Sequence, residues 1–230
     1  MCSTLLKVEI KFLFQRDNFR TDYSTGKSYS AYAGNGHGLN LSGGAVDSVN
    51  KVGFRSPLLR EYMWEHRAEL EKRLGEVRKR YTLSRPGINV NVFPNLASIN
   101  TGFRVWHPRG PDKTEVWAYS FADKDAPKEV KDAMRAELFQ TFGPAGNFEQ
   151  DDMNNFGQST SIAKSLVARK VVMNLQLGFN HDHLLEELPG VIGTSPGEAN
   201  QRAFYARWAE VMDAPSWSAI KLDTRSPAFL

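Results

Sequence analysis

The stretch that decides the fold class is Gly102-Phe-Arg-Val-Trp-His107, followed by Pro108-Arg-Gly-Pro-Asp-Lys113 and Thr114-Glu-Val-Trp-Ala-Tyr-Ser-Phe121. The first and third segments are rich in residues that favour β-strands, and the segment between them contains two prolines and a glycine. Two such runs around a Pro/Gly turn are typical of an antiparallel hairpin. The hairpin therefore predicts an antiparallel sheet.

A long amphipathic helix is predicted ahead of this hairpin. Ser56 and Pro57 have the pattern of an N-cap followed by proline at the first helical position. Apolar residues then recur at helical spacing to about Tyr81, while Glu and Arg crowd the opposite face. The apolar stripe consists of Leu59, Met63, His66, Leu70, Leu74 and Val77. On such a stripe His66 is interpreted as a satisfied, partly buried histidine.

Period-two alternation predicts two further strands, at residues 7–14 and 88–93. Helices are predicted at 125–143 and, from a weaker pattern, at 151–172. Strands grouped as hairpins, with helices between and after them, predict an α+β fold with an antiparallel sheet.

Two shorter patterns add to this outline. Five glycines between Tyr32 and Gly44 predict tight turns or a close approach of the backbone to another group. Ser195-Pro-Gly-Glu198 fits a capping box that opens a last helix. The apolar stripe of that helix consists of Phe204, Trp208 and Met212.

Composition and charge exclude several classes of protein. The chain has 230 residues, 41% of them hydrophobic and 24% charged, and a formal net charge of +3 from 29 Lys+Arg against 26 Asp+Glu. These fractions are typical of soluble globular proteins. The charge is too balanced for a nucleic-acid binder, which normally carries a strongly basic patch. Lys7, Glu9 and Lys11 interrupt the first apolar stretch, so we predict neither a signal peptide nor a membrane helix.

Cys2 is the only cysteine. One thiol excludes an intrachain disulfide, a thiolate-rich zinc site and an iron–sulfur cluster held by this chain alone. This usage is consistent with a reducing compartment, and we predict a cytoplasmic location.

Common motifs of metal and nucleotide sites are missing from the sequence. No H-E-x-x-H or H-x4-H spacing occurs among the five histidines. His181-Asp-His183 could bind a metal, but a solvated loop is the favoured interpretation. Gly34-x-Gly-x-Gly38 lacks the Lys-Ser/Thr of a P-loop and the strand–loop–helix context of a dinucleotide fold, so nucleotide binding is rejected.

Two adjacent aspartates are the remaining candidates for chemistry. Asp151 and Asp152 follow a Gly-Pro-Ala-Gly turn at the start of a helix-like stretch, which puts hard oxygen ligands on a fixed element. Acidic residues at such a position more often cap the helix or interact with its dipole. From these residues alone, a helix cap and a metal ligand both stay open.

Five motifs in one order carry a resemblance to a known family. They are Val92-Phe-Pro-Asn-Leu96, Arg104-Val-Trp-His-Pro-Arg-Gly-Pro111, Glu115-Val-Trp-Ala118, Thr141-Phe-Gly-Pro-Ala-Gly146 and Phe148-Glu-Gln-Asp-Asp152. This set resembles the C-terminal catalytic part of the large (α) subunit of Rieske non-haem iron aromatic-ring-hydroxylating dioxygenases, and the naphthalene and biphenyl branch most. The resemblance covers roughly residues 34–221, and it implies a helix-grip fold, in which an antiparallel sheet wraps around a pocket.

The resemblance also implies an active site. In that family a mononuclear Fe(II) is held by two histidines and one carboxylate, with open positions for O2. The second aspartate of the Asp-Asp pair supplies the carboxylate, which transfers that role to Asp152 and leaves Asp151 as a neighbour or a cap. By the same matching, five residues would line the pocket for the aromatic substrate: Leu39, Asn89, Ile99, Phe142 and Phe148. Ordinary core packing is the alternative for each apolar member of this set.

The implied activity is the addition of both atoms of O2 to an aromatic hydrocarbon ring, which gives a cis-dihydrodiol. Electrons would come from NAD(P)H through a reductase and a ferredoxin to a [2Fe-2S] Rieske centre. A small β subunit is the implied partner, and neither nucleic acid nor a membrane is implied.

The sequence departs from the family pattern in two respects. It contains neither the Asp-x-x-His-x4/5-His segment that supplies both iron histidines nor the Cys/His pairs of the Rieske domain. We therefore expect residues 31–230 to be an incomplete copy of the catalytic domain, inactive alone, and we leave residues 1–30 unassigned. Unless His37 or the His181/His183 pair is recruited, this chain cannot hold iron as the family does.

Two other possibilities stay open at this point. The chain could be a metal-free binding module that keeps an apolar pocket for aromatic ligands. It could also fold poorly alone, because a sheet that has lost strands exposes an edge. Iron content separates the first alternative from the catalytic interpretation, and light scattering tests the second.

Overall fold

The computed structural model describes residues 27–43, 46–84, 89–99, 101–185, 188–194 and 196–222. The strand predicted at residues 7–14 lies outside these ranges. Within them, eight strands form one sheet and the helices pack on its two faces.

Every pair of neighbouring strands in this sheet is antiparallel, in the order β6-β5-β4-β3-β2-β1-β8-β7. The strands are β1 Lys27–Tyr32, β2 Gly38–Gly43, β3 Asn89–Val92, β4 Leu96–Ile99, β5 Gly102–Gly110, β6 Lys113–Ser120, β7 His183–Leu185 and β8 Leu188–Thr194. The predicted antiparallel sheet and the α+β class are thereby confirmed. The deciding hairpin is β5–β6, and its register shifts between Pro108 and Gly110.

The helices are α1 Pro57–Glu65, α2 Arg67–Ser84, α3 Lys128–Phe142, α4 Glu149–Ala163 and α5 Ala199–Asp213. The single helix predicted from Ser56 to about Tyr81 is therefore wrong in one respect, because the chain breaks at His66. A second irregularity follows at Gly75, whose φ of 77° and ψ of 165° are not helical. As predicted, His66 is half-buried, and its Nδ1 lies 2.8 Å from the carbonyl oxygen of Tyr62.

The last helix differs from its prediction in packing rather than in place. Ser195 lies outside the described residues, and Glu198 occupies the N-cap position of α5. Its carboxylate accepts the backbone N–H of Leu177 at 3.0 Å. Trp208 and Met212 of the predicted stripe are 50% and 65% exposed. The helical spacing was therefore correct, but these two side chains do not face the core.

Strand register divides the sheet into two faces, because successive side chains of a strand point to opposite sides. We call the side that carries Ser30, Asn40, Asn89, Ile99 and Arg104 the helix face. It is covered in part by α3 through Leu138, by α4 through Glu149 and by α5 through Asn200.

The opposite face packs against α2. Ala31, Leu41 and Ile192 form a core cluster there with Tyr81 of α2, and all four are at most 8% exposed. A second cluster joins α1 to α3, and Leu59, Val130 and Met134 are among its buried members.

Arg207 ties α5 to the segment that follows it. Arg207 is only 9% exposed. Its Nη1 donates to Glu210 Oε2 at 2.7 Å and to the carbonyl oxygen of Lys221 at 2.8 Å. The guanidinium therefore fixes residues beyond the end of the last helix against its side.

No helix in the described ranges is both long enough and apolar enough to cross a bilayer.

Candidate functional site

Two groups of helices pack against the helix face of the sheet. On one side Asn200 of α5 donates from Nδ2 to Asn40 Oδ1 of β2 at 3.0 Å. On the other side Leu138 of α3 lies over β5, where a Cβ added to Gly102 would come within 3.1 Å of it. Strands β3 and β4 lie between β2 and β5. We call this region, with β3 and β4 as its floor, the candidate cleft.

The turn before α4 fixes where Asp152 lies. The backbone N–H of Phe148 donates to the carbonyl oxygen of Thr141 at 2.9 Å. The backbone N–H of Asp152 donates to the carbonyl oxygen of Phe148 at 3.0 Å. A Cβ on Gly146 would lie 2.5 Å from the carbonyl oxygen of Thr141, so this turn requires glycine there. The Gly-Pro-Ala-Gly motif thus places Asp152 in the first turn of α4, directly after α3.

An ion pair holds that first turn onto the sheet. Arg104 of β5 donates from Nε and Nη2 to the two carboxylate oxygens of Glu149 at 3.2 and 2.7 Å. The same Nη2 donates to the carbonyl oxygen of Phe142 at 2.6 Å. The two paired side chains are 7% and 16% exposed. A two-point contact between largely buried partners fixes orientation as well as distance.

The electrostatic setting of Asp152 is negative. Burial raises the pKa of its carboxyl group, and the neighbouring Glu149 and Asp151 raise it further, while Arg104 acts in the opposite direction. Asp152 as a whole is exposed to solvent, although its carboxyl group is partly desolvated. Such a carboxylate lies where a cation would relieve the repulsion between neighbouring acids.

Four of the five predicted pocket residues belong to the helix face or to the helices above it. The rings of Phe142 and Phe148 lie 5.8 Å apart, and the Arg104 guanidinium lies 5.7 Å from the Phe142 ring. Ile99 pairs with Gly102 in the register of β4 and β5, and Asn89 pairs with Asn40.

Leu39 does not join them. It pairs with Ala31 and Val90, so it projects to the opposite face, where it packs against the cluster that contains Tyr81. Its neighbour Asn40 takes the place on the helix face. Sequence reasoning missed Asn40, although alternation counted along Gly38-Leu-Asn-Leu41 could have found it.

Histidine side chains do not complete a metal site around Asp152 in the described part of the chain. No three His, Cys, Asp or Glu side chains there are arranged to hold a metal ion. His37 Nδ1 accepts the backbone N–H of Phe93 at 3.0 Å, and His183 Nδ1 lies 3.1 Å from the carbonyl oxygen of His181. A mononuclear iron centre of the two-histidine, one-carboxylate type does not fit these residues alone.

Comparisons with known proteins give the class to which this arrangement belongs. Residues 18–214 match the family model of the ring hydroxylating alpha subunit (catalytic domain). The chain therefore belongs to the ring-hydroxylating α-subunit family, as its motifs predicted.

Individual relatives agree with this assignment. The chain is 35% identical over 206 residues to the biphenyl 2,3-dioxygenase subunit alpha of Rhodococcus jostii (strain RHA1), covering 86% of this chain and 43% of that protein. It is 34% identical over 190 residues to the large oxygenase component of the naphthalene 1,2-dioxygenase system of Pseudomonas aeruginosa, covering 80% and 41%. The chain thus spans less than half the length of these relatives.

A solved structure shows the same fold. Naphthalene 1,2-dioxygenase with indole bound in its active site superposes with a TM-score of 0.71 at 28% identity, covering 85% of this chain and 44% of that one. The enzyme from Rhodococcus sp. bound to indole gives a TM-score of 0.66 at 30% identity, with 83% and 46% covered. The helix-grip architecture inferred from the motifs is therefore that of the dioxygenase catalytic domain.

Proposed function

We propose that residues 31–230 are the C-terminal part of the catalytic domain of an aromatic-ring-hydroxylating dioxygenase, and that this part extends upstream of residue 31, because the family match begins at residue 18 and β1 begins at Lys27. The whole enzyme would add both atoms of O2 to an aromatic hydrocarbon ring and yield a cis-dihydrodiol. Membership of the family and the curated relatives named above support this activity.

Within that enzyme, Asp152 is the carboxylate ligand of a mononuclear Fe(II). The observation that carries this role is the placement of Asp152 in the first turn of α4, three residues after a glutamate that is locked to Arg104. Because this ion pair joins α4 to β5, it fixes the first turn of α4, which carries Asp152, relative to the sheet. The described residues supply one of the three ligands, so two histidines from elsewhere in the protein are required.

The substrate would lie on the floor of the cleft, next to Asn89 and Ile99 and below Phe142 and Phe148. Aromatic rings and an aliphatic side chain suit an apolar ring. A [2Fe-2S] Rieske centre outside this chain, a ferredoxin and a reductase that uses NAD(P)H would deliver electrons. A small β subunit would be the partner.

A chimera tests this proposal. Residues 18–230, which keep β1 whole, replace the matching portion of the naphthalene dioxygenase large component of Pseudomonas aeruginosa, and the remainder supplies the Rieske domain and the histidines. With reductase, ferredoxin, NADH and naphthalene under isotopically labelled O2, we expect a cis-dihydrodiol that carries two labelled atoms. Asp152→Asn should abolish product, and Asp151→Asn is the matched control that should retain it.

Two results with the chimera would contradict the proposal. A soluble chimera that shows Rieske absorbance and binds iron but releases no product would contradict the catalytic role. Equal product from the Asp152→Asn and Asp151→Asn chimeras would contradict the ligand assignment alone.

A metal-free binding module is the second candidate. The rings of Phe142 and Phe148, 5.8 Å apart, offer an apolar surface that can hold an aromatic ligand without iron. In that case the isolated chain would bind naphthalene with equal affinity with and without Fe(II), and the chimera would be inactive.

A further inference from the structure

The helix that carries Asp152 makes few contacts within the described part of the chain. None of the fifteen residues of α4 is buried. Its contacts with the sheet include the ion pair between Glu149 and Arg104 and an edge-on contact between the rings of Phe156 and Trp106, 5.8 Å apart. Because a short helix owes most of its stability to packing of one face, α4 presents a face that another element can cover.

An open groove of about 540 Å³ runs along this face of α4. The lining residues are uncharged and lie on one side of the helix: Met153, Asn154, Gly157, Gln158, Ser161 and Ile162. A Cβ added to Gly157 would meet no atom within 4 Å, so this part of the helix borders open space. The groove begins directly after Asp152 and ends at Ile162, in the last turn of α4.

A strip of apolar side chains continues from the end of this groove. Six large apolar side chains within twelve residues are 63–89% exposed: Ile162, Leu166, Val167, Val171, Val172 and Met173. Single apolar side chains are normal on a protein surface, whereas several together mark an interaction site. We call the groove and this strip together the α4 surface.

Contacts at both ends hold the strip in place. Lys164 Nζ lies 2.6 Å from Oδ2 of Asp112, in the turn between β5 and β6. Beyond the other end, Arg202 of α5 donates from Nη1 to the carbonyl oxygens of Leu175 and Leu177, both at 3.0 Å. A surface that is fixed before binding loses less conformational entropy when a partner docks.

The charges of the α4 surface are all positive. Residues 153–181 contain no aspartate or glutamate, but they include Lys164, Arg169 and Lys170. Arg169 and Lys170 are exposed and form no ion pair with any residue that the structure describes. Two copies of this surface, packed on each other about a two-fold axis, would bring like charges together. A partner with acidic groups around an apolar centre is complementary instead.

The relatives contain a large region that could be this partner. The matched region is 43% of the Rhodococcus jostii protein and 41% of the Pseudomonas aeruginosa protein. In each of them the remainder is covalently linked to the matched region, which gives it an effective concentration that a separate chain lacks. The proposed function also requires side chains of that remainder next to Asp152, where the groove begins.

We infer that the α4 surface is the docking surface for the part of the dioxygenase α subunit that lies outside this chain, and that this partner presents apolar side chains bordered by aspartate or glutamate. The inference rests on the proposed function, because it names the partner of the element that carries Asp152. The partner buries the strip, and its carboxylates pair with Arg169 and Lys170.

Oxidation of two methionines tests whether the α4 surface is covered. Met173 lies in the strip and is 72% exposed, and Met212 of α5, 65% exposed, is the matched control. A bulky hydroperoxide converts exposed methionine to the sulfoxide, and mass spectrometry of peptides gives the rate at each position. We expect similar rates in the isolated chain. In the chimera, Met173 should be oxidised about tenfold more slowly, while Met212 keeps its rate.

Cross-linking with a carbodiimide identifies the partner, because this reagent joins an amine to a carboxylate in direct contact. The pair of Lys164 and Asp112 is the internal positive control. In the chimera, Lys170 should be joined to an aspartate or glutamate of the Pseudomonas aeruginosa part, in a product with the mass of one chain. Lys170→Gln should lose this product, whereas Lys72→Gln, at an exposed position of α2, should retain it.

Each contrary result overturns a stated part of the inference. Equal oxidation of Met173 in the isolated chain and the chimera, or equal protection of Met173 and Met212, would refute the docking surface. Coupling of Lys170 to the β subunit, or a product with the mass of two chains, would refute the inferred partner. Protection of Met173 without coupling of Lys170 would refute the acidic chemistry of that partner.

Failure of the proposed function would look different, because neither measurement needs turnover. An inactive chimera in which Met173 is protected and Lys170 is coupled would contradict the proposed activity and support the docking surface. An active chimera in which Met173 is not protected would support the activity and refute the docking surface.

Discussion

Arg104 and Glu149 are 45 residues apart in the chain and form a two-point ion pair between β5 and α4. Because Arg104 also donates to the carbonyl oxygen of Phe142, one guanidinium joins a strand, the end of α3 and the start of α4. The position of Asp152 relative to the sheet depends on this junction.

Glu149→Gln should destabilise the protein by about 3 kcal/mol, because it leaves the charge of Arg104 buried without its partner. The free energy of unfolding in urea is the measurement. Glu115→Gln is the matched control, since its pair with Arg109 is 57% and 46% exposed and should contribute at most about 1 kcal/mol. Equal losses in the two variants would show that the pair of Arg104 and Glu149 is not a structural anchor.

Asp152→Asn should, in contrast, raise the free energy of unfolding slightly. It removes a carboxylate that Glu149 and Asp151 repel, and the raised pKa of Asp152 shows that repulsion and burial outweigh the attraction of Arg104. We expect a gain of about 0.2–0.5 kcal/mol at neutral pH, the usual size for a like-charge pair one helical turn apart. Destabilisation by this variant in urea would instead show that the favourable interaction of Asp152 with the N-terminal end of α4 outweighs this repulsion.

His37 should make the protein less stable in mild acid. Burial and Arg207 lower its pKa in the folded state, so the unfolded chain binds a proton more readily. The stability that His37 contributes is therefore complete above its unfolded pKa of about 6.5 and is lost as the pH falls through its folded pKa. Protonation also removes the acceptor of the Phe93 N–H.

The measurement is the urea midpoint of unfolding at pH 7.5 and at about pH 5.5, a pair chosen around the reference pKa of histidine. His37→Gln should show a smaller decrease between these two conditions than the wild type. His181→Gln, at an exposed side chain, should behave as the wild type does. The same decrease in all three proteins would place the acid sensitivity elsewhere.

Leu59→Ala should cost about 2–5 kcal/mol, because Leu59 is 0% exposed in the cluster that joins α1 to α3. Leu58→Ala is the control at the adjacent position, where the side chain is 39% exposed, and should cost much less. Urea denaturation of both variants gives the comparison. Similar losses would mean that α1 does not pack as described.

Local sequence patterns predicted the helices and the strands β3, β5 and β6, but not the other five strands of the described sheet. The alternation on both sides of Pro108-Arg-Gly-Pro-Asp-Lys113 was enough to find β5 and β6, since register and turn are encoded within twenty residues. The break at His66 was missed, because the apolar spacing continues across it and no proline or glycine lies next to it. Gly75, the second irregularity, is nine residues further on.

The site was less predictable because its contacts are distant in sequence. Nothing near Arg104 indicates that Glu149 will be its partner, and Asn40 acquires its place from a contact with Asn200 across 160 residues. The family resemblance assigned Leu39 to the pocket, whereas the register of β2 puts Leu39 on the opposite face and Asn40 on the helix face. A shift of one residue along a strand moves the side chain to the opposite face of the sheet.

The contact between Arg207 and Lys221 lies beyond the last residue that the family model matches. The match to the family ends at residue 214, whereas the hydrogen bond to the carbonyl oxygen of Lys221 lies seven residues further on. A version of this chain that ends at residue 214 would remove one of the hydrogen-bond acceptors of Arg207, a residue only 9% exposed. The contacts of Arg207 therefore extend beyond the residues that the family model matches.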